Sequence, residues 1–140
     1  TMDTAEFMKR TALFSGLTDD ELSSVLSTAK QRAFPAGTMI ISEGHEGGRG
    51  FYVMLSGSAE VRKGEKTLAH FGPGDYFGEM ALLLEDTPRT ASVVAVEDVT
   101  ALVITQWDLK ALLANHPDVG LRMMGELAKR LRDTDQALKD

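Results

Sequence analysis

The chain contains no cysteine. That absence excludes a disulfide scaffold, thiolate metal sites and a cysteine nucleophile. Long hydrophobic runs are missing too: the longest are only a few residues, too short for a transmembrane helix. No basic N-terminus leads into an apolar stretch, so no signal peptide is visible and the cytoplasm is the expected compartment. Basic charge is in deficit, with 15 Lys and Arg against 21 Asp and Glu and a formal net charge of −6. This argues against broad nucleic-acid binding, which rests on neutralising phosphates. What remains is a 140-residue chain that is 43% hydrophobic, a composition and length suited to one domain, 1–140, around one core. Thr1 ahead of Met2 reads as a cloning remnant, with Met2 the expected native start.

Three zones differ in pattern. In residues 1–32, Phe7, Met8, Leu13, Phe14 and Leu17 precede Leu22, Val25, Leu26 and Ala29 at three-to-four spacing, which predicts helix. A short helix is expected before Ser15-Gly16 and a second from Asp19 to about Arg32, with Thr18 and Glu21 forming a capping box. Residues 33–105 hold ten of the 13 glycines. Between them lie strand-like runs at Thr38–Ser42, Phe51–Leu55, Ser58–Arg62, Thr67–Phe71, Ala91–Ala95 and Val99–Ile104. Turn signals at this spacing predict a β-sandwich or jelly roll. Residues 106–140 return to helix, Gln106–Asn115 and then Pro117 or Asp118 to about Leu138, divided at His116-Pro117. The middle zone carries five basic and ten acidic side chains. An anion bound there therefore needs a local cation and aimed backbone N–H groups rather than a global field.

One stretch carries recognisable chemistry, residues 77–91. It follows a Gly72-Pro73-Gly74-Asp75 turn. Gly78 permits a backbone geometry or close approach that a side chain would block. Residues from Glu79 to Leu84 can make a helical turn whose free N–H groups suit a phosphate. Pro88 stops that turn, and Arg89 offers a planar five-donor fork. Glu79 only accepts hydrogen bonds and can take two from sugar hydroxyls. An anion-seeking group and a hydroxyl-seeking group ten residues apart describe a nucleotide sugar-phosphate site. The plainer alternative is an ion pair between Glu79 and Arg89 at a sheet corner.

Phe77-Gly78-Glu79, Ala81-Leu82 and Pro88-Arg89-Thr90-Ala91 resemble the phosphate-binding cassette of the cyclic nucleotide-binding domain family. The resemblance extends to Phe14-Ser15-Gly16-Leu17, Pro35-Ala36-Gly37, Glu43-Gly44, Phe51-Tyr52-Val53-Met54, Ser56-Gly57 and Gly72-Pro73-Gly74-Asp75, and so covers essentially the whole chain. It implies an α+β fold: a β-roll of about eight antiparallel strands in a double-stranded jelly roll, flanked by N-terminal helices and closed by a C-terminal helical lid. It also implies residue roles. Glu79 would accept the ribose 2′-hydroxyl and Arg89 would pair with the cyclic phosphate. The N–H groups of Ala81 and Leu82 would add phosphate donors, Met80 lies between Glu79 and these donors, and Gly78 would leave room for the sugar. Thr90 could contact phosphate or base, and Val61 and Leu68 would flank the base.

Nucleotide choice is less directly written. By resemblance, threonine at position 90 accompanies cGMP in eukaryotic members, while bacterial cAMP binders also carry serine or threonine there. Ala128-Lys129-Arg130-Leu131-Arg132-Asp133-Thr134 resembles the C-terminal helix of the catabolite-activator branch, in which a threonine at the place of Thr134 contacts the adenine amino group. Asp135 departs from that branch. The expected ligand is cAMP ahead of cGMP, with no further cofactor and no metal.

Met124, Leu127, Leu131, Thr134 and Leu138 follow coiled-coil spacing, so the last helix is expected either to pack on its own β-roll or to pair with a second copy. A separate effector protein is the other expected partner. The resemblance further implies that nucleotide tightens the cassette, shifts Leu82 and re-docks the C-terminal helices. No helix-turn-helix pattern follows within the sequence, so direct DNA contact is not expected, and neither is a membrane partner. Two rivals remain. A cupin-type metalloenzyme would need converging histidines, and only His45, His70 and His116 are present, in three contexts. A module that keeps the fold without binding a nucleotide would not need Glu79 and Arg89. Absence of a nucleophile elbow completes the expectation of a non-enzyme.

Overall fold

The computed structural model describes residues 4–11, 13–41, 50–78 and 91–139, with the backbone alone at 134 and 137–139. The elements run α1 (Thr4–Lys9), α2 (Asp19–Thr28), β1 (Lys30–Phe34), β2 (Met39–Ile41), β3 (Gly50–Ser56), β4 (Ala59–Lys63), β5 (Lys66–Phe71), β6 (Tyr76–Phe77), β7 (Ser92–Ala95), β8 (Val99–Thr105), α3 (Gln106–Asn115) and α4 (Pro117–Lys139). The eight strands form two four-stranded sheets, ordered β1-β8-β3-β6 and β2-β7-β4-β5, with every pairing antiparallel.

Alternation along the strands builds two cores. On β3, Phe51 and Val53 face the helices, together with Tyr76, Leu102, Ile104 and the buried faces of α2, α3 and α4 (Leu22, Val25, Leu109, Leu112, Val119, Met123). Tyr52, Met54, Phe77, Val99 and Ala101 point the other way, onto Ile41, Ala59, Val93 and Ala95 of the second sheet. Each large side chain so buried contributes about 1.5–3 kcal/mol. The helices therefore form a third layer on one face of a two-sheet roll.

Local signals explain most boundaries. The Thr18 hydroxyl accepts from the Glu21 N–H at 3.1 Å, and the Glu21 carboxylate accepts from the Thr18 N–H at 2.9 Å, completing the expected capping box. Thr105 caps α3 in the same sense, accepting from the Asp108 N–H. His116 ends α3, and Pro117 starts α4, as a proline can at a first helical position.

Two expectations need correction. The second helix stops at Thr28, not near Arg32, and the strand region begins at Lys30 rather than residue 33. Lys30, Gln31 and Arg32 are good helix formers, but all five residues of β1 pair with β8, and sheet pairing overrides a weak local preference. The two-residue β6, absent from the expected strands, is held by its register against Tyr52 and Val53.

Candidate functional site

The two ends of the roll are built differently. At one end the connections β1–β2, β3–β4 and β7–β8 meet. Gly37 N–H donates to Ala95 O, Val96 N–H to Ser58 O, and Ala36 N–H to the Asp98 carboxylate. The strand ends Ile41, Gly50, Phe77 and Ser92 open onto the other end, together with the β4–β5 hairpin and the start of α3.

The approach to Gly78 is rigid. Gly72, Pro73, Gly74 and Asp75 make a turn in which Asp75 N–H donates to Gly72 O, with Gly74 at φ +91° as a type II turn requires. The Asp75 carboxylate accepts from Gly72 N–H at 2.8 Å. Gly74 N–H donates to Met54 O, and Met54 N–H donates to Asp75 O, stapling the turn to β3. Beyond it, Phe77 stacks between Tyr52 (centroids 5.0 Å apart) and Phe71 (5.2 Å), inside the roll. Tyr76 points oppositely, against Phe51 and α4. Gly78 then adopts φ +93°, a left-handed conformation that favours glycine.

Val61 and Leu68 lie on adjoining strands. Val61 pairs with Ala69 and Val93 and packs against the inter-sheet core. Pairing slips between Val61 and Arg62, because Ala69 faces one and Thr67 the other. Leu68 is therefore the extra residue of a β-bulge, a device that re-aims a side chain. It is 51% exposed, and its neighbours along residues 66–70 of β5 are exposed too. Glu79, Met80, Ala81, Leu82, Arg89 and Thr90 lie outside the described residues; Thr134 falls on α4, with its side chain outside them.

α4 presents two faces. Val119 and Met123 are buried and Leu127 packs partly, whereas Leu121, Met124 and Leu131 are 62%, 62% and 71% exposed. The expected seam of Met124, Leu127 and Leu131 is therefore divided: Leu127 sits on the docked side, and the exposed stripe runs Leu121, Met124, Leu131. Further along, the Arg130 guanidinium lies 4.1 Å from the centroid of the Tyr76 ring and donates from Nη2 to Tyr76 O at 3.2 Å. Sequence reasoning missed this contact. The signal was the 123, 127, 130 spacing, which places Arg130 on the docked face of the helix.

A second feature also went unread. A cleft of about 390 Å3 near the open end is lined by Lys30, Arg32, Gly50, Tyr52, Thr105 and Asp108, among others. It brings two cations into an acidic strand region. The sequence hid it, since Lys30 and Arg32 read as the end of a helix. His70 and His116 are far apart in role: His70 lies beside Glu60 on the outer face of β4–β5 (3.7 Å), and His116 beside Glu21 where α3 meets α4 (3.6 Å). Among the described residues no three His, Asp or Glu side chains are grouped to hold a metal ion. No helix among them is long and apolar enough to cross a membrane.

Known proteins share this arrangement. Residues 31–116 match the cyclic nucleotide-binding domain family. The cyclic AMP receptor protein of Thermus thermophilus is 38% identical over 136 residues, which cover 94% of this chain and 62% of that protein. The crystal structure of the Thermus thermophilus catabolite activator protein superposes with a TM-score of 0.81 at 37% identity, covering 92% of this chain and 62% of that one. A PKAR CBD2 structure with bound Sp-2Cl-cAMPS superposes with a TM-score of 0.77 at 26% identity, covering 94% and 89%. The chain thus spans about three fifths of its Thermus relative. From the positive-φ Gly78 behind a stapled turn to the two-sheet roll under its helices, the chain belongs to the cyclic nucleotide-binding domain family.

Proposed function

We propose that this chain is the sensor domain of a cyclic-nucleotide-responsive regulator, that it binds cAMP in preference to cGMP at the open end of the roll, and that it signals through α3 and α4. The observation that carries the reading is the positive φ of Gly78, immediately ahead of Glu79 and ten residues before Pro88-Arg89-Thr90. Glu79 takes the ribose 2′-hydroxyl, Arg89 the cyclic phosphate, and the N–H groups of Ala81 and Leu82 complete the phosphate cradle. Thr90 contacts phosphate or base. The bulged, exposed Leu68 and its neighbour Val61 supply the apolar wall for the base. Thr134 reaches the adenine amino group from α4. The names of the Thermus receptor and of the kinase-subunit ligand favour cAMP. The role is binding, with no catalytic step.

Titration calorimetry with cAMP and cGMP, beside Arg89→Ala, tests this. Wild type should bind both, cAMP more tightly. Arg89→Ala should bind at least about a hundredfold more weakly, since a buried phosphate loses charge-assisted bonds of about 1.5–3 kcal/mol each. Equal binding by Arg89→Ala would overturn the site.

The exposed stripe of Leu121, Met124 and Leu131 has a/d spacing. It supports pairing with a second copy along α4 as the route by which the signal leaves.

A further inference from the structure

We propose that the cleft beside β1 is a second ligand site, which takes a small phosphomonoester through Lys30 and Arg32 and is separate from the nucleotide site. Strand register places the two cations. Lys30 pairs with Val103 and Val103 with Tyr52, while Arg32 pairs with Ala101 and Ala101 with Met54. Tyr52, Met54 and Ala101 belong to the core between the sheets, so Lys30 and Arg32 stand at the margin of that inner face. Two residues apart on one strand face, they are separated by roughly 7 Å along it, close enough to converge on one group. Among the described residues neither side chain has an ion-pair or hydrogen-bond partner, whereas Arg62 is held by Glu60 and Arg130 by Tyr76.

The walls suit a small guest. The cleft holds about 390 Å3, within the range of small-molecule pockets. Gly50 keeps one wall flat: a Cβ there would stand 3.2 Å from Val103 Cγ1 and 3.4 Å from the Tyr52 ring. Thr105, opposite Gly50 in the register, accepts from the Asp108 N–H and keeps its own O–H to donate. Because Thr105 also caps the ten-residue α3, the positive end of that helix adds to the field of the two cations. An arginine fork and a lysine charge on one group suit a phosphate dianion.

Asp108 narrows the class. It is the one carboxylate of the lining, and among the described residues it pairs with neither cation. A carboxylate only accepts hydrogen bonds. It therefore disfavours a guest that is anionic throughout and favours one with a hydroxyl or amino group beyond the phosphate. The site is also apart from the nucleotide reading, because β1 and β6 are opposite edges of the first sheet, with β8 and β3 between them. Three strand spacings put Lys30 and Arg32 roughly 14 Å from the strand that leads into Gly78.

The test is an amide-shift titration of the whole chain with glycerol 3-phosphate, inorganic phosphate and succinate at constant ionic strength, in wild type, Lys30→Gln, Arg32→Gln and Arg89→Ala. Glycerol 3-phosphate should move the amides of residues 28–32, 50 and 105–108 and bind more tightly than the other two anions. Arg32→Gln should weaken it at least about tenfold, as the loss of charge-assisted bonds implies, with Lys30→Gln weaker in effect and both melting temperatures kept. Arg89→Ala should leave these shifts unchanged. Shifts confined to residues 77–91 and lost in Arg89→Ala would mean that only the nucleotide site takes phosphate, and would overturn the proposal. Equal responses to all three anions, or unaltered binding by Arg32→Gln, overturn it as well.

Discussion

Two turn glycines at opposite ends of the roll, Gly57 and Gly64, serve opposite purposes. At the closed end, Gly57 has φ +89°, and a Cβ there would fall 2.1 Å from the Asp98 carbonyl oxygen. The glycine exists because two connections press together. At the open end, Gly64 in the β4–β5 hairpin has φ +61°, and a Cβ there would meet nothing within 4 Å. There the glycine serves turn geometry alone. The β3–β4 connection is welded to the β7–β8 connection, whereas the tip of the β4–β5 hairpin stands clear. Substituting both glycines breaks or upholds that contrast. Gly57→Ala should destabilise by roughly 3–5 kcal/mol, since backbone strain and a backbone clash combine. Gly64→Ala should cost only about 1–2 kcal/mol, the penalty of a left-handed residue. Thermal melts of the two variants measure the difference; equal losses would mean that the base is not welded.

The rim should show the reverse pattern, with large effects on ligand and small ones on stability. Leu68→Ser removes a side chain that is already 51% exposed. It should leave the melting temperature within a degree or two and weaken cAMP by about three- to tenfold, the value of a partly buried apolar contact of about 1 kcal/mol. An unchanged dissociation constant would remove Leu68 from the base wall.

Much of this contrast was readable in the chain. Pro35-Ala36-Gly37 and Gly72-Pro73-Gly74-Asp75 marked turns by chemistry that depends on few neighbours, and the Thr18–Glu21 box and His116-Pro117 marked helix ends in the same way. The family motif supplied the candidate site. What escaped was decided by partners distant in sequence. β1 is a strand because β8 lies beside it, 69 residues on in the pairing of Arg32 with Ala101. β6 is a strand because β3 is there. The bulge at Leu68 is a matter of register, which no local pattern encodes. Arg130 was given no role of its own beside Lys129 and Arg132, and its distance to Tyr76 is what distinguishes it.

Asp75 stands between the two ends. Its carboxylate holds the Gly72 N–H, and its backbone joins the turn to Met54. Asp75→Ala removes the first link only. We expect a loss of about 1–2 kcal/mol, a charge-assisted bond to a partly buried donor, together with a modest weakening of cAMP binding through β6. Denaturant melts and titration on one sample report both. A variant with lower stability but unaltered affinity would show that the turn supports the base alone and does not position Gly78.

The smallest effect lies in the helical layer, at the start of α2. Hydrogen bonds from the Thr18 backbone and then from the Thr18 hydroxyl hold the Glu21 carboxyl below its ordinary value of 4.5, and His116 nearby adds electrostatic support. A carboxyl lowered on folding contributes stability above its unfolded value, and that contribution is lost as pH falls through the folded value. The contribution is therefore present at neutral pH and fades below about 4.5. Glu21→Gln keeps an acceptor for the Thr18 N–H but has no charge to lose. Wild type should be slightly more stable than Glu21→Gln near neutrality, and the two should converge in acid. Nucleotide affinity at neutral pH should be the same in both, because α2 belongs to the helical layer and not to the rim. Denaturant melts across that pH range check the convergence, and a gap that widens in acid would contradict the sign. An affinity change would instead mean that the α3–α4 junction, where His116 meets Glu21, communicates with the ligand end of the roll.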